Sequence, residues 1–179
     1  MKRIFLIGYM GAGKTTFGRE LAKLMNLEFI DLDHFIQNRY NKSIGQLFDQ
    51  LGEDKFREIE HKLLQEVSEF ENVIISTGGG TPCFYDNMEI MNSVGNTVYL
   101  KADTYTLSKR LNACKDKRPL IKDKNEEEIL HFVTINIAKR ELFYNKARLV
   151  FETEELTSKE EVSKYVASLK EKLQDTNNV

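Results

Sequence analysis

The sequence predicts an α/β protein, a three-layer sandwich around a central five-stranded parallel sheet. Three observations point there. Short apolar runs alternate along the chain with longer segments of helical periodicity, the pattern of a parallel sheet covered on both faces. The chain has 179 residues, only two prolines and no linker or internal repeat, so residues 1–179 read as one domain with enough apolar side chains for a full core. Glycine-rich stretches follow the first and third apolar runs, and ligands of such sheets bind beyond the carboxyl ends of the strands.

The first strand is Arg3–Ile7. It runs into GYMGAGKTT, Gly8–Thr16, which matches G-x-x-x-x-G-K-[ST] with Gly8, Gly13, Lys14 and Thr15 at the fixed places. This is a phosphate cradle of the P-loop NTPase kind. Glycines let backbone N–H groups turn inward and approach an anion closely. Lys14 offers a cation to the β- and γ-phosphates, and the Thr15 hydroxyl can ligate Mg²⁺. The ATP-binding candidates are Gly11, Ala12, Gly13, Lys14, Thr15 and Thr16. The next helix, Lys14–Met25, carries Phe17, Leu21, Leu24 and Met25 at helical spacing and points its positive end at the phosphates.

The second strand, Glu28–Ile30, ends in DLD. Asp31 and Asp33 are two apart, so in an extended segment both point the same way. Taken alone, Asp33 also suits the N-cap of the helix Asp33–Tyr40. Helices follow at Ser43–Leu51 and Glu53–Phe70. The stripe of the latter is Phe56, Ile59, Leu63, Val67 and Phe70, which by itself makes Arg57 a surface arginine. The third strand, Val73–Ser76, opens into STGGGTP, where three consecutive glycines serve either a tight turn or a ligand approaching the backbone. The remaining order is helix Asp86–Asn92, strand Thr97–Leu100, helices Thr104–Asn112 and Glu126–Tyr144, strand Leu149–Glu152 and helix Ser158–Leu173. Arg140 lies on the line Ile129, Val133, Asn136, Arg140 and Phe143, facing partly inward, and a buried charge wants a partner.

The composition narrows the function classes. A net charge of −2 and pI near 6.0 lack the basic footprint of a nucleic-acid binder. The start MKRIFLIGYMGAG has the basic and apolar halves of a short signal peptide, but it lacks an A-x-A site and Lys14 interrupts it. No run is long enough to span a membrane. The expectation is a cytoplasmic protein without membrane partners, and, with no heptad or exposed apolar stripe, a monomer. Cys83 and Cys114 suggest neither a disulfide framework nor a zinc site. His34, His61 and His131 are scattered and read as surface or satisfied residues. The one dense charge patch, CKDKRPLIKDKNEEE from Cys114 to Glu128, is poor in core residues up to Lys124.

GYMGAGKTTFGRELA, DLD, FREIE at Phe56–Glu60, STGGG, RPL at Arg118–Leu120 and KRELFY at Lys139–Tyr144 together resemble the shikimate kinases in order and spacing, from Arg3 to about Glu152. The resemblance implies a nucleoside-monophosphate-kinase-like fold that moves the ATP γ-phosphate to the 3-hydroxyl of shikimate, with Mg²⁺. It implies that Asp33 holds the ring hydroxyls, the attacking one included, and that Asp31 reaches the metal through water. It implies that Arg57 and Arg140 clamp the shikimate carboxylate, which suits planar guanidinium forks, while Gly78, Gly79 and Gly80 bring backbone N–H groups to the substrate. Phe48 and Phe56 would wall the pocket. Arg110 would flank the adenine. A lid at about 113–125 would close over the phosphates and bring Arg118 to the transferring group. Catalysis would thus fall to Lys14, Asp33 and Arg118. With an ordinary aspartate pKa near ~4, Asp33 would position the hydroxyl more than deprotonate it.

Two stretches depart from the family. Many relatives follow the triple glycine with a small residue and valine, whereas this chain has Thr81-Pro82-Cys83, and Pro82 removes a backbone donor. The adenine loop ETEELTSKEE matches poorly, and no residue is carried over there. Competing readings are weaker. A gluconate-type kinase would share the phosphate loop without requiring the Arg57/Arg140 pair. A nucleotide kinase would show D-R-x after the second strand, and a GTP switch would need N-K-x-D.

Overall fold

A computed structural model describes residues 2–115, 120–153 and 158–175. Five strands, β1 (Arg3–Ile7), β2 (Glu28–Asp31), β3 (Val73–Ser76), β4 (Asn96–Lys101) and β5 (Leu149–Glu152), form one sheet in the order β2-β3-β1-β4-β5, with every pairing parallel. Seven helices connect and follow them among the described residues: α1 (Lys14–Met25), α2 (Leu32–Tyr40), α3 (Ile44–Val67), α4 (Asn87–Val94), α5 (Thr104–Asn112), α6 (Glu126–Tyr144) and α7 (Lys159–Asp175). The chain leaves β1 toward the β2 edge but leaves β3 toward the β5 edge. Right-handed crossovers running in opposite directions place their helices on opposite faces. Accordingly α1 packs with α7 on one face, and α3 meets α4 on the other.

The reversal of direction falls between β1 and β3, so the crevice outside their carboxyl ends is where a ligand belongs. The register sets the two loops side by side: Leu6 pairs with Ser76, and Asp31 pairs with Ser76 from the other flank. The interior strands are buried on both faces. Ile4–Ile7, Val73–Ile75 and Val98–Leu100 all belong to the core, which explains why they read as unbroken apolar runs rather than alternating ones.

The structure amends three expectations. The second strand runs one residue further and α2 starts at Leu32, because the N-cap is Asp31, whose side chain accepts from His34 N at 3.2 Å. Asp33 therefore sits in the first helical turn rather than in an extended pair with Asp31. The two helices expected at Ser43–Leu51 and Glu53–Phe70 meet across a kink at Gly52, φ 77° and ψ 169°, and together make up α3, but the second ends at Val67, so Phe70 lies past its end. A short 3₁₀ turn, Thr81–Cys83, follows the three glycines and was not expected. Its backbone closes through Cys83 N to Gly80 O at 2.8 Å. Pro82 fits because it occupies the first turn, where an N–H has no partner to find.

Candidate active site

The loop after β1 behaves as a cradle. Gly13 caps α1 in the left-handed region, φ 91°, with no side-chain cap and no acidic residue in the first helical turn. The helix N-terminus is therefore left for an anion. Lys14 Nζ donates to Gly8 O at 2.8 Å and Tyr9 O at 3.0 Å, so the ammonium group is folded back over the loop. Met10, Gly11, Gly13, Lys14, Thr15 and Thr16 line a cleft of about 290 Å³ that they share with Asp31, Asp33 and the stretch Ser76–Gly79. Ala12 is buried beneath the loop, so only its backbone can serve a ligand.

Asp31 and Asp33 both reach this cleft, by different routes. Asp31 Oδ2 accepts from the Thr15 hydroxyl at 2.8 Å while Oδ1 caps α2. Asp33 is largely buried beside the third-strand turn: a methyl added at Gly78 would lie 2.9 Å from Asp33 Oδ1 and 3.1 Å from Glu60 Oε1. Burial, then the charges of Glu60 and Asp31, raise Asp33 from 3.8 to about 6, against the opposing pull of Lys14 and Arg57. The ordinary carboxylate pKa expected from the sequence is thus replaced by one near neutrality.

Arg57 is not a surface arginine. It is only 9% exposed, and Nη1 donates to Glu60 Oε2 at 2.7 Å while Nη2 reaches Glu53 Oε1 at 3.3 Å. Phe84 lies against its face at 4.1 Å, with Phe48 and Phe56 stacked on each other at 4.2 Å alongside. The two phenylalanines therefore wall the arginine, as expected of pocket walls, and Phe56 is also core. Gly80 is glycine for want of room: a Cβ there would stand 2.6 Å from Arg57 Nη2. Arg140 approaches the same turn from α6. Its guanidinium lies over the Tyr9 ring at 5.4 Å, and Nη1 would be 3.6 Å from a methyl on Gly79. Among the described residues no carboxylate lies within ion-pair distance of Arg140, whereas Arg57 is already paired. Tyr144, one helical turn beyond Arg140, donates to Gly79 O at 2.6 Å. Cys83 lies near both arginines, but burial pushes its thiol up to about 11, so at neutral pH it is uncharged. Both cysteines are free.

Arg110 reaches the other end of the loop, donating to Gly11 O at 3.2 Å and to Thr153 O at 3.0 Å. It thus bridges the loop to the end of β5. Arg118 and Pro119 lie outside the described residues, as does 154–157 of the expected adenine loop. The described parts of the 113–125 segment are not poor in core contacts, because Ile121 is fully buried.

The family-model comparison matches Shikimate kinase over residues 10–170. The chain belongs to the shikimate kinase family. The shikimate kinase of Parabacteroides distasonis is 54% identical, over 90% of this chain and 94% of its own. That of Azobacteroides pseudotrichonymphae is 60% identical, over 88% and 93%. Among solved structures, the shikimate kinase of Bacteroides thetaiotaomicron superposes with a TM-score of 0.94 at 47% identity, covering 97% of this chain and 98% of that one. The Acinetobacter baumannii enzyme in complex with shikimate gives 0.86 at 30% identity, covering 98% and 94%. Family membership makes the chain a kinase, a phosphotransferase built on a P-loop sheet.

The donors near the loop suit the metal that the shikimate kinase family implies. The Thr15 hydroxyl and the Asp31 carboxylate are hard oxygens 2.8 Å apart. Among the described residues no group of three or more His, Cys, Asp or Glu forms a metal cage. Mg²⁺ is commonly held in this way, by one or two protein oxygens with phosphates and water completing its shell. Among the described residues no helix is long and apolar enough to cross a membrane. Two residues that matter here were missed in the sequence, Glu60 and Tyr144. Glu60 had a local signal, an acid three residues after an arginine on one helix face. Tyr144 had none beyond its place in KRELFY.

Proposed function

We propose that this chain transfers the γ-phosphate of ATP to the 3-hydroxyl of shikimate, as a cytoplasmic monomer, and that the residues of the cleft divide the work as follows. The N–H groups of Gly11–Thr16 and the N-terminus of α1 hold the phosphates. Lys14 leaves its loop carbonyls to follow the charge that builds on the transferring oxygens. Thr15, and Asp31 through water, would hold Mg²⁺, which would supply positive charge against the phosphates. Arg110 borders the adenine side, and Arg118 is carried to the transferring group by the lid.

On the acceptor side, Asp33 takes a hydrogen bond from the attacking hydroxyl and accepts its proton as the O–P bond forms. A carboxylate with a pKa of about 6 is a better matched base at neutral pH than an ordinary aspartate. Gly78, Gly79 and Gly80 offer close backbone approach, and Arg57 and Arg140 take the shikimate carboxylate. The observation that carries this reading is the placement of one narrow glycine turn between a largely buried carboxylate, Asp33, and two guanidinium groups, one of them without a carboxylate partner among the described residues.

The test compares shikimate with an analogue lacking the carboxylate in an ADP-coupled assay. Wild type prefers shikimate strongly. Arg140→Ala loses most of that preference, at a cost of roughly 2–5 kcal/mol of shikimate binding, expressed mainly in KM. A mutant that discriminates as sharply as wild type removes Arg140 from carboxylate recognition.

A further inference from the structure

Arg57 and Glu60 form a buried ion pair, yet they do not form the two-pronged arrangement that guanidinium and carboxylate favour. Only Nη1 meets Glu60, at Oε2, 2.7 Å away. The other carboxylate oxygen, Oε1, is taken by the Thr81 hydroxyl at 2.6 Å. Among the described residues Arg57 Nε has no hydrogen-bond partner, and Nη2 has only the long contact to the exposed Glu53. The guanidinium thus keeps donor capacity beside the Gly80 backbone instead of spending it on Glu60.

Thr81 is itself fixed from outside. Its carbonyl accepts from Asn87 Nδ2 at 2.8 Å, and Asn87 Oδ1 lies 2.7 Å from His61 Nδ1 on α3. Thr81 and Asn87 are fully buried. Two polar bridges, Thr81 to Glu60 and Thr81 through Asn87 to His61, therefore join the 3₁₀ turn to the helix that carries Arg57. Both Thr81 and Pro82 belong to the stretch that departs from the family pattern.

We propose that Thr81 is a positioning residue for substrate recognition: by occupying Glu60 Oε1 it keeps Glu60 from closing on Arg57 with both oxygens, and so leaves Arg57 free to meet the substrate carboxylate. The inference rests on the reading of Arg57 as a carboxylate ligand. Without the hydroxyl, Glu60 rotates to the two-pronged pair and draws the guanidinium away from Gly80. The Asn87–His61 link holds the turn in the register that makes this competition possible.

Steady-state kinetics with shikimate and ATP varied separately, together with calorimetric titration of shikimate alone, decide the matter. Thr81→Val keeps the shape and loses the hydroxyl. It raises the shikimate KM about tenfold or more, leaves the ATP KM unchanged and keeps kcat within about threefold, the pattern of lost uniform binding. Thr81→Ser restores the shikimate KM. In an Arg57→Ala background Thr81→Val adds little, because both changes act through one group. An unchanged shikimate KM in Thr81→Val, a failure of serine to rescue, or a full effect persisting without Arg57 overturns the inference while leaving the reading of Arg57 intact. An Arg57→Ala variant with normal shikimate KM overturns that reading, and the inference with it. If Thr81→Val does not fold, His61→Ala, cut at the half-exposed end of the chain, decides by the same measurement: a several-fold rise in shikimate KM supports the inference, and none overturns it.

Discussion

Replacing Asp33 with asparagine removes a charge that the folded protein carries at an energetic disadvantage. Asp33 is raised from 3.8 to about 6 by burial and by the neighbouring Glu60 and Asp31. A carboxyl whose folded pKa lies above its unfolded value binds its proton more tightly when folded. Its effect on stability is therefore most favourable below the unfolded pKa and is lost as pH rises through about 6. At pH 8 the loss is complete and amounts to roughly 3 kcal/mol, at about 1.4 kcal/mol for each tenfold change in proton affinity. Asparagine is still a buried polar group, so the net gain from Asp33→Asn is about 1–2 kcal/mol, or about 2–8 °C in Tm for a chain of this size. At pH 4 the folded wild type already holds the proton, so only about 0.5 kcal/mol of that penalty remains, and the cost of burying the amide turns the gain into a loss. Differential scanning calorimetry of both proteins without ligands, at pH 8 and pH 4, measures this directly. The same variant loses about 10²–10⁴-fold in kcat. A Tm at pH 8 equal to or below wild type, or a gain of the same size at both pH values, refutes the account of Asp33 as a strained buried anion.

Three further outcomes are expected. Lys14→Met lowers kcat by roughly 10²-fold or more, since it removes a cation from a site that works by electrostatics; near-normal ATP-dependent turnover would remove Lys14 from that role. Gly80→Ala forces a methyl to within 2.6 Å of Arg57 Nη2, so shikimate KM rises while ATP KM holds, and a crystal structure of the variant shows the guanidinium displaced. The acid limb of kcat/KM for shikimate falls with a midpoint near about 6, where free-enzyme Asp33 takes up its proton; a limb near pH 4 would mean that Asp33 titrates as an ordinary aspartate.

The sheet and most helix limits were legible because each rests on a local signal. Apolar runs gave β1, β3 and β5 their observed limits, with Gly8 after the first and Asn72 before the second, and α1, α5 and α6 begin and end where the sequence places them. The failures were choices between equals or contacts across the fold. Asp31 and Asp33 are both good N-caps, and only the paired length of β2 against β3 selects Asp31. Gly52 reads as a helix end and the backbone does leave the helical region there, whereas the end at Val67 rather than Phe70 carries no local signal. Arg57 looked solvent-facing because the stripe counts apolar side chains, and its burial comes from Phe84, which the helix does not supply, and from Phe48, which lies on the other side of the Gly52 kink. The phosphate loop was readable as a string. The raised pKa of Asp33 was not, because it comes from burial in the folded cleft first and then from Glu60, which arrives from another helix.

Glu60 has one more effect, on the departure of product. Among the described residues Lys14, Arg57 and Arg140 stand around the cleft with the carboxylates of Asp31, Asp33 and Glu60, and Glu60 is paired with Arg57. On the proposed function an incoming acceptor with a single carboxylate would meet Arg140, which has no carboxylate within ion-pair distance among the described residues. After transfer the same molecule carries a phosphoryl group as well, next to Asp33 and within the field of Glu60. Once Asp33 gives up the proton that the proposed transfer leaves on it, its carboxylate and that of Glu60 would repel the added charge and favour expulsion. On the proposed function a pocket lined by these carboxylates would shed what it has made, so that turnover would not stall on a clinging anion.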